Sequence, residues 1–374
     1  MKFGLYIHIP FCPYKCNYCD FLTFANADRR IEEYMSYLFK EIELYRGEGY
    51  QLDTVFIGGG TPSYLDSTYI ERLMDLLREV FIIDEDAEIS IEMNPNTLDE
   101  EKVRAYLASG INRYSLGVQT FDNGILNILG RKHSKEVAIK DIEMLRRLGA
   151  KNISIDMMLA NPKQDMEILK EDLKTIKDLD LDHISYYTLI LEDRTLFKYW
   201  VDKGVISLID DGLERDMFDL VKKDLFEMGF KRYEVSNFYK NGKPSRHNMK
   251  YWKQDPYLAV GLGAVGMYDS VRRKNFRSFE DYYKAIDQAR LPVEEEERLS
   301  EEDLEKEYII MSMRMVGGFS IDEINRRFDI DFLDKYKEII DKYEAYGIVK
   351  LDGGKFTFTD YGLDVANQFY IEII

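Results

Sequence analysis

All three cysteines of this 374-residue chain lie within eight residues, at Cys12, Cys16 and Cys19. They follow an apolar run at residues 5–9 that predicts a β-strand, so we expect the three thiols on the loop after that strand. Three soft thiolates at this spacing can hold three irons of a [4Fe–4S] cluster and leave the fourth iron open to a ligand. The sequence therefore predicts a metal centre with a free coordination position.

Plainer explanations of these cysteines are weaker. Three thiols cannot all pair as disulfides, and a zinc site would need a fourth ligand. His8 is the nearest candidate, but it alternates with Ile7 and Ile9 as a strand residue does. The remaining alternative is three unrelated buried thiols, which the clustering of every cysteine in one loop disfavours.

The segment around the cysteines carries a family resemblance. Cys-x₃-Cys-x₂-Cys with an aromatic residue before the last cysteine resembles the signature of the radical S-adenosylmethionine (SAM) superfamily. The flanking Tyr6-Ile7-His8-Ile9-Pro10-Phe11 resembles one branch, the oxygen-independent coproporphyrinogen III oxidases and the HemW-type heme chaperones. The resemblance implies a [4Fe–4S] cluster and SAM, whose amino and carboxylate groups bind the open iron. The superfamily's shared reaction cleaves SAM reductively to a 5′-deoxyadenosyl radical.

Alternating apolar runs and helical patterns predict an α/β fold with a parallel sheet. Six strand-like runs lie at residues 5–9, 54–57, 88–92, 114–117, 153–157 and 183–188. The resemblance implies a partial six-stranded (β/α) barrel, open on one side. Functional groups are then expected at the carboxyl ends of its strands.

We expect three regions. The barrel spans residues 1–200, a smaller α+β region spans 201–293, and a helical, winged-helix-like domain spans 294–374, with a hairpin at Gly353-Gly354. The four glutamates at residues 294–297 are interpreted as a solvated linker. Residues 319–374 carry seven basic and twelve acidic side chains, so this domain is not expected to bind DNA.

Several side chains at the predicted strand ends suit SAM. Gly58-Gly59-Gly60-Thr61-Pro62 is expected to leave backbone N–H groups free for the methionine end of the ligand, although an ordinary tight turn is the plainer alternative. Carboxylates and amides suit ribose hydroxyls, and an arginine suits a carboxylate. The SAM contacts that the resemblance implies are Tyr6, Tyr18, Gly59, Gly60, Thr61, Glu92, Gln119, Arg131 and Asp156.

Two features choose between the branches. Coproporphyrinogen oxidases typically carry a fourth cysteine where this chain has Phe21, and the resembled heme chaperones add a His-Asn-x-x-Tyr-Trp motif, which begins here at His247. The resemblance implies that His247 binds heme iron; the alternative is a hydrogen-bonded loop histidine. Two departures stand out: Ala160-Asn161-Pro162 replaces Gly-Leu-Pro, and Val265 replaces a histidine.

Composition narrows the partners. A net charge of −18 disfavours nucleic acid, and the absence of an 18-residue apolar run predicts a cytoplasmic protein without a transmembrane segment. The favoured function is a heme chaperone that delivers heme to apo-hemoproteins or cytochromes. An electron donor and a second copy of the chain, forming a homodimer, are the further partners to be tested. The alternatives are coproporphyrinogen III decarboxylation and another radical SAM reaction such as methyl transfer, so enzymatic activity stays open.

Overall fold

The computed structural model describes residues 1–374. Its strands in chain order are β1 (Lys2–Ile9), β2 (Phe11–Cys12), β3 (Phe24–Ala25), β4 (Gln51–Gly59), β5 (Ile82–Met93), β6 (Arg113–Gln119), β7 (Ile153–Leu159), β8 (His183–Thr188), β9 (Lys231–Arg232), β10 (Asn237–Tyr239), β11 (Tyr257–Val260), β12 (Val265–Tyr268), β13 (Val271–Asn275), β14 (Val293–Arg298), β15 (Phe319–Ser320), β16 (Val349–Asp352) and β17 (Lys355–Phe358).

The helices interleave with these strands. In chain order they are α1 (Ile31–Glu43), α2 (Ser67–Val80), α3 (Glu100–Ala108), α4 (Asn123–Leu129), α5 (Lys135–Leu148), α6 (Met166–Asp178), α7 (Leu196–Asp202), α8 (Asp211–Glu227), α9 (Arg246–Lys253), α10 (Phe279–Asp287), α11 (Glu301–Ser312), α12 (Ile321–Phe328), α13 (Phe332–Lys335), α14 (Lys337–Ala345), α15 (Asp360–Asp364) and α16 (Asn367–Ile373).

The six predicted strands form the centre of one sheet. They lie in the order β1-β4-β5-β6-β7-β8, and every neighbouring pair is parallel. The predicted α/β fold with a partial, open barrel is confirmed. The sheet is larger than the sequence indicated, because β11 to β14 extend it beyond β1, and β10 and β9 extend it beyond β8. Its twelve strands form an open sheet and do not close into a ring.

Amphipathic helices cover the outside of the parallel strands. In α2, for example, Ile70, Leu73 and Leu77 are completely buried, and Asp66 accepts a hydrogen bond from the amide of Thr68 at the helix start. These helices and the strands share one core of 57 buried apolar residues. This core fixes the positions of the strand ends, where the candidate site lies.

The acidic run at residues 294–297 is not a linker. It lies within β14, which pairs antiparallel with β13 at the edge of the sheet. Arg272 pairs with Glu297 at 2.7 Å and Arg273 with Glu296 at 3.1 Å. The glutamates are exposed, yet opposite charges on the neighbouring strand stabilise the strand pairing. The interpretation as a solvated connector was wrong because the sequence alone does not reveal the basic partner strand.

The C-terminal part has a core of its own, made of 17 buried apolar residues. Helices α12 to α14 precede the β16–β17 hairpin, whose turn holds Gly353 and Gly354 with positive φ of 56° and 78°, and two short helices follow. This is the helix–hairpin–helix order that the sequence predicts for a winged-helix-like unit. A three-stranded sheet in the order β15-β17-β16 completes it.

No helix in the structure combines the length and the hydropathy that crossing a membrane requires.

A buried carboxyl ties α1 to the extension of the sheet. Glu41 is fully buried and accepts hydrogen bonds from the backbone N–H of Gly261 at 2.8 Å, from Asn275 Nδ2 at 2.7 Å and from the hydroxyl of Tyr282. Burial raises the pKa of Glu41 to about 7, against the opposing effect of these three donors. One side chain thus satisfies donors from three separate segments.

Replacing Glu41 with alanine should therefore strongly destabilise the fold. Because three buried donors would lose their acceptor and a cavity would open, Glu41→Ala should lower the free energy of unfolding by about 3 kcal/mol or more. Glu33→Ala on the exposed face of α1 is the matched control and should change it by less than about 0.5 kcal/mol. Urea unfolding followed by circular dichroism measures both, and equal effects of the two variants would contradict the structural role of Glu41.

Candidate functional site

The three cysteines lie on the loop that follows β1, at the carboxyl edge of the parallel strands, and all are half-buried and free. Thr61 Oγ1 donates to Cys12 Sγ at 3.4 Å, and Arg131 Nη1 donates to Cys16 Sγ at 3.4 Å. Burial raises the pKa of the Cys12 thiol to about 11 and also raises that of Cys19. Iron binding would therefore have to displace protons from these thiols.

The donor set fits a cluster better than a single metal ion. No three His, Cys, Asp or Glu side chains converge as the ligands of one ion do. In a [4Fe–4S] cluster each thiolate binds a different iron, so the sulfurs need not meet at one point. The hydrogen bonds that reach Cys12 and Cys16 are contacts that anionic thiolate ligands accept well.

Asn17 fastens the cysteine loop to the end of α4. Its backbone N–H donates to the carbonyl of Leu129 at 3.0 Å, and its side-chain Nδ2 donates to the carbonyl of Ile128 at 2.9 Å. These carbonyls belong to the last turn of α4 and have no partner within the helix. The carbonyl of Asn17 accepts the backbone N–H of Phe197 at 3.0 Å, so α4 and α7 both hold the loop between Cys16 and Cys19.

The glycine turn after β4 does not present free N–H groups. The N–H of Gly59 donates to Glu92 Oε2, that of Gly60 to the carbonyl of Ile9, and that of Thr61 to the carbonyl of Phe11, each at 2.8 Å. The expectation of free donors is therefore wrong for these three residues. The donors are used to hold the turn against β1 and β5.

What the glycines provide is space. A Cβ atom on Gly59, whose φ is +109°, would lie 2.4 Å from Nδ1 of His8, and one on Gly58 would lie 2.8 Å from Oε2 of Glu92. Each distance is shorter than any van der Waals contact, so a larger residue would push His8 or Glu92 out of place. We call this tightly packed turn, residues 58–61, the glycine cradle.

Two neighbouring carboxyls, Glu92 and Asp156, lie beside this turn. Both side chains are partly exposed, and Ser115 Oγ donates to Asp156 Oδ1 at 3.3 Å. Burial, reinforced by repulsion from Asp156, raises the pKa of Glu92 to about 7. Burial also raises the pKa of Asp156. The pair therefore does not carry two full charges in the unliganded protein at neutral pH.

Three of the remaining predicted SAM contacts, Tyr6, Tyr18 and Arg131, have the following partners in the structure. Tyr6 donates its hydroxyl towards His8 Nδ1 at 2.9 Å, and Arg131 donates to the carbonyl of Gly117. Arg131 Nε is buried without a partner, which leaves one donor for a ligand. The ring of Tyr18 packs against that of Phe197 with centroids 6.3 Å apart. The structure thus brings the strand-end residues of β1, β4, β5, β6 and β7 to one edge.

Backbone strain marks the same edge. Gln119 at the end of β6 has a φ of +72°, and Ala160 after β7 has a φ of +62°. L-residues with a Cβ rarely adopt this region, so each position carries a local cost that the surrounding contacts must offset. At Ala160 the strain explains why a glycine suits this position in the resembled sequences.

His247 does not lie at this edge but beside the amino-terminal half of β4. It sits on α9 and is fully buried; its Nδ1 pairs with Thr54 Oγ1 at 2.8 Å and its Nε2 with the hydroxyl of Tyr251 at 2.9 Å. Thr54 belongs to the amino-terminal half of β4. Burial, reinforced by the charge of Lys250, lowers the pKa of His247 to about 3, so the imidazole is neutral.

Sequence reasoning did not assign a site role to His8 or Asn17, which both shape the cysteine loop. His8 packs against Gly59, and its Nε2 bonds to the carbonyl of Leu22 at 2.9 Å, which anchors the far end of the cysteine loop. Both residues lie within the segment that the sequence singled out, so their polarity beside the cysteines was the available signal, but their partners come from distant positions.

The raised pKa of Glu92 predicts a pH-dependent stability. In the unfolded chain a Glu titrates near its ordinary value of about 4.3. Between that value and about 7 the folded protein binds the proton more tightly, so the free energy of unfolding falls as pH rises through this window. Glu92→Gln keeps an acceptor for Gly59 and removes the titration. Between pH 5 and pH 8 the free energy of unfolding of the wild type should therefore fall by about 2 kcal/mol more than that of the variant.

Urea unfolding of the cluster-free protein at the two pH values measures this difference. Glu101→Gln, an exposed position on α3, is the matched control and should follow the wild-type pH dependence. If Glu92→Gln also followed the wild-type curve, Glu92 would titrate normally in the folded protein.

Comparisons with known proteins agree with this geometry. The family model of the radical SAM superfamily matches residues 6–176, and that of the HemN C-terminal domain matches residues 299–365. The solved structure of coproporphyrinogen III oxidase (HemN) from Escherichia coli, a radical SAM enzyme, superimposes with a TM-score of 0.87; the match covers 100% of this chain and 90% of that one. The two sequences are 23% identical, so this likeness establishes the fold alone.

Sequence relatives are more informative. The heme chaperone HemW of Lactococcus lactis is 34% identical over 368 residues, covering 98% of this chain and 95% of that protein. The heme chaperone HemW of Bacillus subtilis is 33% identical over 368 residues, covering 98% and 97%. The corresponding Escherichia coli protein is 35% identical over 266 residues, covering 70% and 69%. With the cysteine loop, glycine cradle and strand-end carboxyls in place, the chain belongs to the HemW family of the radical SAM superfamily.

Proposed function

We propose that this protein is a heme chaperone that holds a [4Fe–4S] cluster and SAM at the carboxyl edge of its sheet and passes heme to apo-hemoproteins. The observation that carries the proposal is the residue at position 21. Phe21 is 70% exposed, two residues after Cys19, where the resembled oxidases typically have a cysteine. An exposed phenyl ring cannot supply a thiolate and instead offers an apolar surface beside the cysteine loop.

Within this proposal Cys12, Cys16 and Cys19 hold the cluster, and Arg131 and Thr61 hydrogen-bond to its thiolates. The bound cluster supplies a single electron and an open iron for the methionine end of SAM. Glu92 and Asp156 would hydrogen-bond the ribose hydroxyls of SAM, and Tyr18 would contact its adenine. Hydrogen bonds that already fix Glu92 and Arg131 reduce the reorganisation that ligand binding requires.

Heme binding through His247 is a prediction, and it requires that a ring nitrogen of His247 be free. A neutral imidazole is the form that binds heme iron, and the lowered pKa keeps His247 neutral. Both ring nitrogens, however, already have partners inside the protein. Iron can reach a ring nitrogen of His247 only if one of these two partners, Thr54 or Tyr251, gives up its bond.

The cysteines and the proposed cluster indicate the compartment and the redox partner. Three reduced cysteines and a cluster require a reducing compartment, so we propose a cytoplasmic setting with a one-electron donor as partner. Coproporphyrinogen decarboxylation is the alternative that the fold allows, because the oxidase superimposes on the whole chain. Phe21 favours the chaperone over that enzyme.

The chaperone proposal predicts heme transfer without porphyrinogen oxidation. Cluster-loaded protein under anaerobic conditions should bind heme one-to-one, as followed by Soret absorption, and should pass it to apomyoglobin used as an acceptor probe. The same preparation should leave the propionates of coproporphyrinogen III intact in the presence of SAM and dithionite, as measured by mass spectrometry. Free heme added at the same concentration is the control for transfer. Stoichiometric release of carbon dioxide would instead establish the oxidase.

The ligand prediction needs a separate experiment. If His247 binds the iron, His247→Ala should weaken heme binding at least tenfold and shift the Soret band. Tyr251→Phe is the matched control, because it removes the hydroxyl partner of Nε2 but keeps the ring, and it should leave heme affinity equal or higher. Thermal unfolding of the heme-free variants separates a lost ligand from a lost fold. A folded His247→Ala variant with unchanged heme affinity and spectrum would show that the ligand lies elsewhere.

A further inference from the structure

A residue that the sequence did not single out joins the hydrogen bonds of two cluster ligands. Asn94 follows β5 directly, two positions after Glu92. Its Nδ2 donates to Thr61 Oγ1 at 2.7 Å, and its Oδ1 accepts from Arg131 Nη2 at 2.8 Å. Thr61 donates in turn to the sulfur of Cys12, and Arg131 to that of Cys16.

We propose that Asn94 is a positioning residue for the iron–sulfur cluster: its side-chain amide completes a hydrogen-bonded bridge from Cys12 through Thr61 and Arg131 to Cys16, and so directs one donor at each thiolate. The inference rests on the proposed cluster site. It assigns a role to a residue that acts on the cysteines through its hydrogen bonds to Thr61 and Arg131.

The direction of each bond follows from the chemistry of the groups. A guanidinium can only donate, so the atom of Asn94 that faces Arg131 must be the carbonyl oxygen, and the NH₂ group must face Thr61. The threonine hydroxyl has one hydrogen. Because Asn94 already donates to the Thr61 oxygen, that single hydrogen is left to point at Cys12. An acceptor in place of the NH₂ group would draw the hydrogen away from the sulfur.

The backbone of Asn94 is fixed on both sides. Its N–H donates to Ser63 Oγ at 3.2 Å, and its carbonyl accepts from Thr97 Oγ1 at 2.7 Å. The hydroxyls of Ser63 and Thr97 also bond to each other. The amide therefore reaches Thr61 and Arg131 from a rigid base, as a positioning group must.

Gly117 on β6 gives independent support. A Cβ atom at this position would lie 2.9 Å from Arg131 Nη2 and 2.9 Å from Asn94 Oδ1. These two atoms form the central bond of the bridge. The strand therefore passes directly beside the bridge with no room for a side chain, so any larger residue at position 117 would separate the two groups.

Hydrogen bonds to cluster thiolates raise the reduction potential, because they stabilise the added negative charge of the reduced cluster. Asn94→Asp is nearly isosteric and turns the Thr61 hydrogen towards a carboxylate. We expect it to shift the midpoint potential of the cluster to more negative values and to change its EPR spectrum in the reduced state. Gly117→Ala should shift the midpoint potential in the same direction, because its Cβ would separate Arg131 from Asn94. It serves as the second variant if Asn94→Asp does not fold.

A double-substitution cycle tests whether Asn94 acts through its partners. Thr61→Val removes one donor to sulfur, so the potential shift caused by Asn94→Ala should be smaller in the Thr61→Val background than in the wild type. Asn123→Asp, which introduces the same charge at a partly exposed asparagine at the start of α4, is the matched control and should keep the wild-type potential. The Cys12→Ala/Cys16→Ala/Cys19→Ala variant gives the cluster-free baseline for iron, labile sulfide and EPR.

These measurements test the cluster assignment and the role of Asn94 separately. A wild-type protein that binds no more iron and sulfide than the triple variant would overturn the cluster assignment and this inference with it. A wild-type cluster whose potential and EPR spectrum are unchanged by Asn94→Asp and Gly117→Ala would overturn the inference and leave the proposed function standing. Folded variants that shift the potential, or that lose the cluster while Asn123→Asp retains it, support the bridge.

Discussion

The close contact between the ends of β1 and β4 is the constraint on which the site depends. Gly60 and Thr61 donate their backbone N–H groups to the carbonyls of Ile9 and Phe11, each at 2.8 Å, so the start of the cysteine loop and the glycine turn form one continuous unit. A Cβ on Gly60 would lie 2.7 Å from the carbonyl oxygen of Phe11. Only glycine permits this approach, and it is the approach that brings Thr61 within reach of Cys12.

Hydrogen bonds to a strand also fix helix α9, at the amino-terminal side of the sheet. The N–H groups of Arg246 and His247 donate to the carboxylate of Glu88, which also suits the positive end of the helix dipole. His247 and Tyr251 are four residues apart and therefore share the face that enters the sheet end. Trp252 lies on the adjacent face, where Arg314 stacks over it at 4.7 Å. The motif thus joins the parallel strands to the segment leading into the C-terminal core.

The sequence was a good guide to local structure and a poor guide to partners. Periodicity and spacing indicated the six parallel strands and the edge at which the cysteines, glycines and carboxyls meet, because every parallel strand delivers its carboxyl end to the same side. Strand neighbours were not readable: β11 pairs with β1 across some 250 positions of the chain. The acidic run of β14 looked like a linker because its arginines lie on another strand.

Hydrogen bonding in the site was equally unreadable. The glycine-rich turn was expected to leave backbone N–H groups free, yet those of Gly59, Gly60 and Thr61 each have a partner set by tertiary structure. The Asn94 bridge needs residues from β5, the turn after β4 and the segment after α4, which no local pattern connects. Such contacts depend on the packing of elements that are distant in sequence, and periodicity carries no information about them.

A stack of three rings connects Tyr6 to His247, and iron binding by His247 would disturb it. Tyr6 stacks on Phe56 with centroids 6.2 Å apart, and Phe56 stacks on His247 at 5.3 Å. Withdrawing His247 to bind iron would break this stack, both bonds to its ring and the helix anchor on Glu88. The measured heme affinity would then equal the intrinsic affinity multiplied by the fraction of molecules in which a ring nitrogen of His247 is free. If His247 binds iron, loosening α9, for example by removing the contact of Arg314 with Trp252, would strengthen heme binding and, through the ring of Phe56, change the environment of Tyr6.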